Sequence, residues 1–169
     1  ATDAATGRAA YFSKYDIIRD DYRTVMATCA LPGFCRPVKV GEHFYYDGGV
    51  ADSIPLHHAI EQGCTKMVVI LSNPRDFVKK PEAHRPLYKH MLHKYPKTIQ
   101  SIDNRHINYQ ASIDLACRLE KEGYVFIFAP SRHMPLSTFS KDAALEQDLY
   151  DLGVADYEAR AEELKYFLN

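Results

Sequence analysis

The chain has 169 residues, of which 46% are hydrophobic and 25% charged, a composition typical of a globular domain that can bury a core. Its formal net charge of -1 excludes an overall field that would attract nucleic acid or an anionic membrane, and no apolar run is long enough to span a bilayer. The four scattered cysteines form no Cys-x-x-Cys pair, so we expect reduced thiols in a cytoplasmic protein.

The first part of the chain has the pattern of a hairpin followed by a helix. Thr6-Gly7 reads as a hairpin turn whose second strand covers residues 8–12. We expect its first strand to lie before residue 1 and the chain to be the C-terminal piece of something longer. Apolar residues at helical spacing then predict a helix over residues 17–29.

A second hairpin and a second helix frame a short acidic turn. Residues 38–40 and 44–46 flank a glycine-containing turn and therefore predict two antiparallel strands. Asp52 or Ser53 is suited to cap the next helix, which ends at Gly63.

Two continuous apolar runs, residues 67–71 and 124–129, predict strands that are buried on both faces of a parallel sheet. The first run follows a strand and a helix at short range, so we expect a right-handed crossover unit there. Helical spacing predicts four further helices, over residues 87–93, 97–122, 141–152 and 154–168, with the last two separated at Gly153. These patterns predict an α/β fold with a helical C-terminal third.

The stretch from Tyr45 to Val50 (YYDGGV) contains the strongest candidate for a functional group. Asp47 ends a predicted strand, and Gly48 and Gly49 lack a Cβ atom, so the backbone can turn sharply and approach another segment closely. An acid at this place is a common way to present a carboxylate in an α/β protein. Local chemistry alone leaves a second interpretation open, an Asp-Gly hairpin turn with no chemical role.

Other chemistry-bearing residues lie in less specific patterns. No Gly-x-Ser-x-Gly elbow occurs, and no phosphate-binding Gly-x-x-x-x-Gly-Lys motif occurs. His57 and His58 are adjacent, so on a helix they point apart. His84, His90 and His93 have no cysteine or acid at a supporting spacing, so we predict no metal site. The serines have no nucleophile context; they are Ser13, Ser53, Ser72, Ser101, Ser112, Ser131, Ser137 and Ser140.

A locally basic segment has tyrosines between its lysines. Such a segment suits contact with phospholipid headgroups or nucleic acid, but a solvated helix face is the favoured interpretation. Its residues are Lys79, Lys80, Tyr88, Lys89, Lys94, Tyr95 and Lys97.

Three motifs follow one another in the order ALPGF at 30–34, Pro37-Val38, and YDGGVADSIPL at 46–56. Together they resemble the C-terminal half of the patatin-like phospholipase family, and the first residues of the chain look like that family's mid-domain hairpin. The resemblance covers residues 1 to about 75. The remainder, with LYDLG at 149–153, is similar to the helical extension of a bacterial subgroup.

The resemblance implies a partial patatin-like three-layer α/β/α fold, with half of a catalytic domain over 1–78 and a mostly helical extension over 79–169. It also implies a lipid acyl hydrolase with a Ser–Asp dyad, in which Asp47 takes the serine proton directly. Gly48 and Gly49 would let the two elements meet. The family's serine elbow and oxyanion loop precede the matched region and are absent from these 169 residues, so we expect the isolated chain to be inactive.

The expected partners follow from the same resemblance. They are a phospholipid or other lipid ester as substrate and a peripheral contact with a membrane, with no nucleic acid and no cofactor. An open sheet edge is expected to favour homo-oligomers, and residues 32–37 and the loop after Ser72 are expected to line the acyl site. The alternative is a non-catalytic interaction domain, in which the Asp47 turn is structural and the lysine-rich segment is the contact surface.

Overall fold

The computed structural model describes residues 1–135 and 141–169, so the candidate serines Ser137 and Ser140 lie outside the described residues. The α/β class with a helical C-terminal part is confirmed. In the described residues the strands are β1 (Thr2–Asp3), β2 (Val38–Val40), β3 (His43–Tyr46), β4 (Met67–Ile70) and β5 (Val125–Phe128). The helices are α1 (Arg23–Thr28), α2 (Leu56–Glu61), α3 (Arg85–Met91), α4 (Pro96–Lys121) and α5 (Ala143–Leu168).

The chain groups into two compact units. The first unit consists of residues 1–55 and 79–112, and the second consists of residues 56–78 and 113–169. The domain boundary expected between residues 78 and 79 stays a prediction.

The first unit contains an antiparallel sheet with the strand order β1–β3–β2. Val38 is opposite Tyr45 and Val40 is opposite His43, so the predicted hairpin is confirmed. Gly41 in its turn has a φ of 59°, a conformation that glycine adopts without steric cost. The hairpin ends at the acidic turn and fixes the direction from which the chain enters it.

The N-terminal turn is closed by the chain's own first residues. The prediction that its first strand lies before residue 1 is wrong, because β1 supplies that strand and Thr2 bridges to Ala9. The carboxylate of Asp3 accepts hydrogen bonds from the amides of Ala5 (3.0 Å) and Thr6 (2.8 Å). Desolvation opposes ionisation of Asp3, but these hydrogen bonds and others outweigh it and lower the pKa below its ordinary value. Asp3 is therefore ionised at neutral pH and organises this turn.

The first predicted helix is much shorter in the structure. It was expected over residues 17–29, but α1 covers only Arg23–Thr28. Asp20 has a φ of 64°, which a right-handed helix cannot contain. Asp21 accepts a hydrogen bond from the Arg23 amide through its side chain and so competes with helical bonding at this point.

The core of the first unit contains side chains from the sheet and from α4. Helices α3 and α4 are confirmed close to their predicted bounds. Ile99 and Ile102 of α4 share a buried cluster with Tyr46, and Tyr88 and Tyr95 pack against that cluster. Both tyrosines are therefore partly buried against this core.

The second unit contains a parallel pair of strands, β4 and β5, as predicted. The expectation that both are buried on both faces holds for β5 alone, because Val68 and Ile70 of β4 are 41% and 79% exposed. The predicted crossover from β3 to β4 is wrong, since these two strands belong to different sheets.

The C-terminal helix continues through Gly153. Two helices were predicted, but α5 is one helix from Ala143 to Leu168. The Asp142 carboxylate caps it by accepting hydrogen bonds from the amides of Ala144 and Leu145. A glycine inside a helix costs only about 1 kcal/mol relative to alanine, which the long helix tolerates.

Three chemical features complete the description. Cys29, Cys35, Cys64 and Cys117 are all free thiols. Across the two described ranges, no helix has the combination of length and hydropathy that crossing a bilayer requires. Within those ranges, no three histidine, cysteine, aspartate or glutamate side chains converge as metal ligands would.

Candidate functional site

Asp47 follows β3 directly and caps a short 3-10 helix over Gly48–Val50. Its amide donates a hydrogen bond to the carbonyl oxygen of Ala30 (2.9 Å), in the loop after α1. Its carbonyl oxygen accepts a hydrogen bond from the Thr2 hydroxyl (2.7 Å), which in turn accepts one from the Ala51 amide (3.2 Å). Because Thr2 is fully buried, these bonds hold the backbone of the turn from two sides.

The Asp47 side chain is held through one oxygen only. Its Oδ1 accepts a hydrogen bond from the Gly49 amide at 2.7 Å, and the residue is half-buried. Among the described residues no donor is hydrogen-bonded to Oδ2. A carboxylate with a fixed direction and an open oxygen can accept a proton from a group brought next to it.

The two glycines permit close approaches that other residues would block. A Cβ atom on Gly48 would lie 3.1 Å from the Thr28 hydroxyl, at the end of α1. A Cβ atom on Gly49 would lie 3.0 Å from Oδ1 of Asp47 and 3.5 Å from a guanidinium nitrogen of Arg105. The close approach predicted for this turn therefore exists on both sides of it.

Tyr46, the residue before Asp47, takes no part in proton exchange at neutral pH. It is 3% exposed and packs edge to face against Tyr95, with ring centroids 5.8 Å apart. Burial raises the pKa of the Tyr46 phenol to about 12. Tyr46 is therefore a core residue at this end of β3.

Two further side chains hold the turn. Nε of Arg105, from α4, donates a hydrogen bond to the Gly49 carbonyl oxygen at 2.7 Å. The Ser53 hydroxyl donates a second one to the same oxygen, also at 2.7 Å. The sequence predicts a helix-capping role for Ser53 and gives no role to Arg105.

The sequence contains one signal that could have found Arg105. Thr98, Ser101 and Arg105 are spaced three and four residues apart, so they share one face of α4. They lie beside the apolar residues Ile99 and Ile102 of the same helix. Polar side chains at the border of a core are normally hydrogen-bonded, so this row predicts hydrogen-bond partners outside the helix.

Two other segments are predicted to line an acyl site. Residues 32–37 belong to the same unit as Asp47, and Pro32 bridges to Cys35. Of the loop after Ser72, residues 73–78 belong to the second unit and the residues from 79 onward belong to the first. A role for either segment in lining an acyl site stays a prediction.

Comparison with families of known proteins gives two matches. Residues 19–60 match the model of the patatin-like phospholipase family, and residues 95–169 match the model of a domain of unknown function, DUF6363. Comparison with curated proteins found no match. Comparison with solved structures also found none.

The first match contains α1, the hairpin and the whole Asp47 turn. Residues 19–60 are therefore similar to a family of lipid-directed hydrolases. Asp47 lies within this matched segment.

Proposed function

We propose that this chain supplies the acid of a Ser–Asp dyad in a patatin-like lipid acyl hydrolase. The observation that carries the proposal is the Asp47 carboxylate, which is held through Oδ1 by the Gly49 amide at 2.7 Å, while no donor among the described residues is bonded to Oδ2. This carboxylate lies in the segment that matches the patatin-like family. Its geometry suits a base that acts on a neighbouring hydroxyl without an intervening histidine.

The proposed reaction has two halves. Oδ2 of Asp47 accepts the proton of the serine hydroxyl as the serine oxygen attacks the ester carbonyl, and the alcohol leaves with that proton. The acyl group is then bonded to the serine. Asp47 next takes a proton from water, the hydroxide attacks the acyl-serine, and the proton returns to the serine oxygen as the fatty acid is released.

The serine comes from another segment in this proposal. Ser53, which is the closest serine to Asp47 in sequence, donates its hydroxyl to the Gly49 carbonyl oxygen instead. We place the nucleophile and its oxyanion loop on chain that precedes residue 1, which is the order that the family resemblance implies.

A lipid ester is the substrate class we propose, approached at a membrane surface. Helix α3 combines exposed Leu87 and Met91 with exposed Lys89, and Lys80 and Lys94 nearby in sequence are also exposed. Apolar side chains beside cations suit the interface of an anionic bilayer. The pattern supports a peripheral contact, in which the lysines meet headgroups and the apolar side chains enter the acyl boundary.

The test compares this chain with a longer protein that contains it. The purified 169-residue chain is expected to release no fatty acid from phosphatidylglycerol vesicles, because an acid without its serine cannot form an acyl-enzyme. The longer protein is expected to hydrolyse the same vesicles. Turnover by the 169-residue chain alone that is abolished by a serine-directed inhibitor would contradict the proposed division of the dyad.

A further inference from the structure

We infer that α4 keeps the Asp47 turn in its working geometry through Arg105, which makes Arg105 a positioning residue for the dyad. This inference rests on the proposed function, because it concerns the same carboxylate. Arg105 lies 58 residues after Asp47 in the sequence.

The guanidinium of Arg105 links two anchor points. Its Nε donates a hydrogen bond to the Gly49 carbonyl oxygen at 2.7 Å, and its Nη1 donates one to Oε1 of Glu82 at 3.0 Å. The side chain is 30% exposed, so water competes weakly for these bonds. The ion pair with Glu82 fixes the plane of the guanidinium and thus the direction of its Nε.

Gly49 transmits this restraint to the carboxylate. Its carbonyl oxygen accepts from Arg105, while its amide donates to Oδ1 of Asp47 at 2.7 Å. Glycine has no side chain to limit its backbone rotation, so hydrogen bonds at the carbonyl of Gly49 add to those of the short 3-10 helix in holding its backbone. Arg105 and Ser53 supply those bonds at the carbonyl.

Arg105 is the last member of a row on one face of α4. The Thr98 hydroxyl donates to the Ala4 carbonyl oxygen (2.8 Å), and the Ser101 hydroxyl donates to that of Gly7 (2.6 Å). Arg105 continues the row to Gly49. Three successive donors thus bind backbone carbonyls of the N-terminal turn and the Asp47 turn, so the helix is held in register against both turns.

The contact joins the two segments that match different family models. Gly49 lies in the patatin-like match at 19–60, and Arg105 lies in the DUF6363 match at 95–169. Both residues belong to the first compact unit. The start of the DUF6363 segment is therefore part of the machinery that holds the acid, and not a separate appendage.

The first arm of the test measures amide hydrogen exchange at Gly49 by NMR in the 169-residue chain. We expect Arg105→Gln to speed this exchange by on the order of 10-fold or more, the effect of losing a charge-assisted hydrogen bond. Arg105→Lys keeps the positive charge beside Glu82 and is expected to restore part of the protection. The matched control is Arg85→Gln, which removes the ion pair between Arg85 and Asp103 of α4 without touching the turn.

The second arm measures ester hydrolysis in the longer protein. We expect Arg105→Gln to lower kcat by about 10- to 100-fold with little change in KM, because a displaced acid weakens the chemical step and not substrate binding. Arg105→Lys is expected to recover part of kcat, and Arg85→Gln to keep it at the wild-type value.

The two arms separate the two claims. Gly49 exchange in Arg105→Gln and Arg105→Lys no faster than in Arg85→Gln would overturn the positioning role, whatever the activity. Faster exchange with unchanged kcat in an active longer protein would overturn its part in catalysis. Faster exchange in the 169-residue chain, together with a wild-type longer protein that hydrolyses no ester, would leave the support of the turn standing and overturn the proposed function.

Discussion

Asp47→Asn is expected to lower ester hydrolysis by the longer protein by on the order of 10³-fold or more, the scale seen when a member of a catalytic unit is removed. Asparagine keeps an oxygen that can accept the Gly49 amide bond, so the turn should persist. Its amide cannot take up the serine proton. The measurement is the initial rate of fatty-acid release from vesicles, with circular dichroism to confirm that the melting temperature is unchanged.

The matched control for this change is Asp52→Asn. Asp52 is an acid of the same segment, and it accepts a hydrogen bond from the Tyr11 hydroxyl rather than from the turn. We expect its replacement to leave the rate within about threefold of wild type, as for a side chain that does not touch the reacting groups. Equal rates for the wild type and Asp47→Asn would reject Asp47 as the base.

Gly7→Ala is expected to lower the free energy of unfolding by about 3–4 kcal/mol. A Cβ atom on Gly7 would lie 2.4 Å from the carbonyl oxygen of Lys97, within α4, and Gly7 has a φ of 68°. Backbone atoms of a helix cannot move aside as a flexible side chain can. Thermal unfolding should show a melting temperature about 10 °C lower.

Gly41→Ala separates backbone strain from this steric overlap. Gly41 has a similar φ of 59°, but a Cβ atom there would meet nothing within 4 Å. We expect its replacement to cost about 1 kcal/mol, the penalty of the left-handed conformation alone. Equal losses of stability for Gly7→Ala and Gly41→Ala would show that the close contact between residue 7 and α4 does not contribute to the cost.

The elements that the sequence predicted correctly are those set by local patterns. The hairpin β2–β3 has a glycine turn between two short apolar runs, and helices α3 and α4 have sustained helical spacing. The pair β4–β5 has continuous apolar strands. In each case the periodicity of a few neighbouring residues carries the information. The acidic turn was found in the same way, because an acid followed by two glycines ends a strand.

The failures come from interactions that periodicity does not encode. Helical spacing extended α1 back to residue 17, but the left-handed backbone at Asp20 stops it. Gly153 is a breaker on average, yet α5 continues through it. Arg105 was missed because its partner lies in a distant segment, and only the three-dimensional path of α4 brings them together.

Phosphonylation of the longer protein tests the central claim most directly. A lipid-like p-nitrophenyl phosphonate labels an activated serine irreversibly, and the release of p-nitrophenol reports the rate. The account predicts a single labelled serine, located by peptide mass spectrometry before residue 1, with labelling at least about 100-fold slower in Asp47→Asn. The contradicting result is no labelled serine, or labelling at the same rate in both proteins, which would favour a non-catalytic interaction domain.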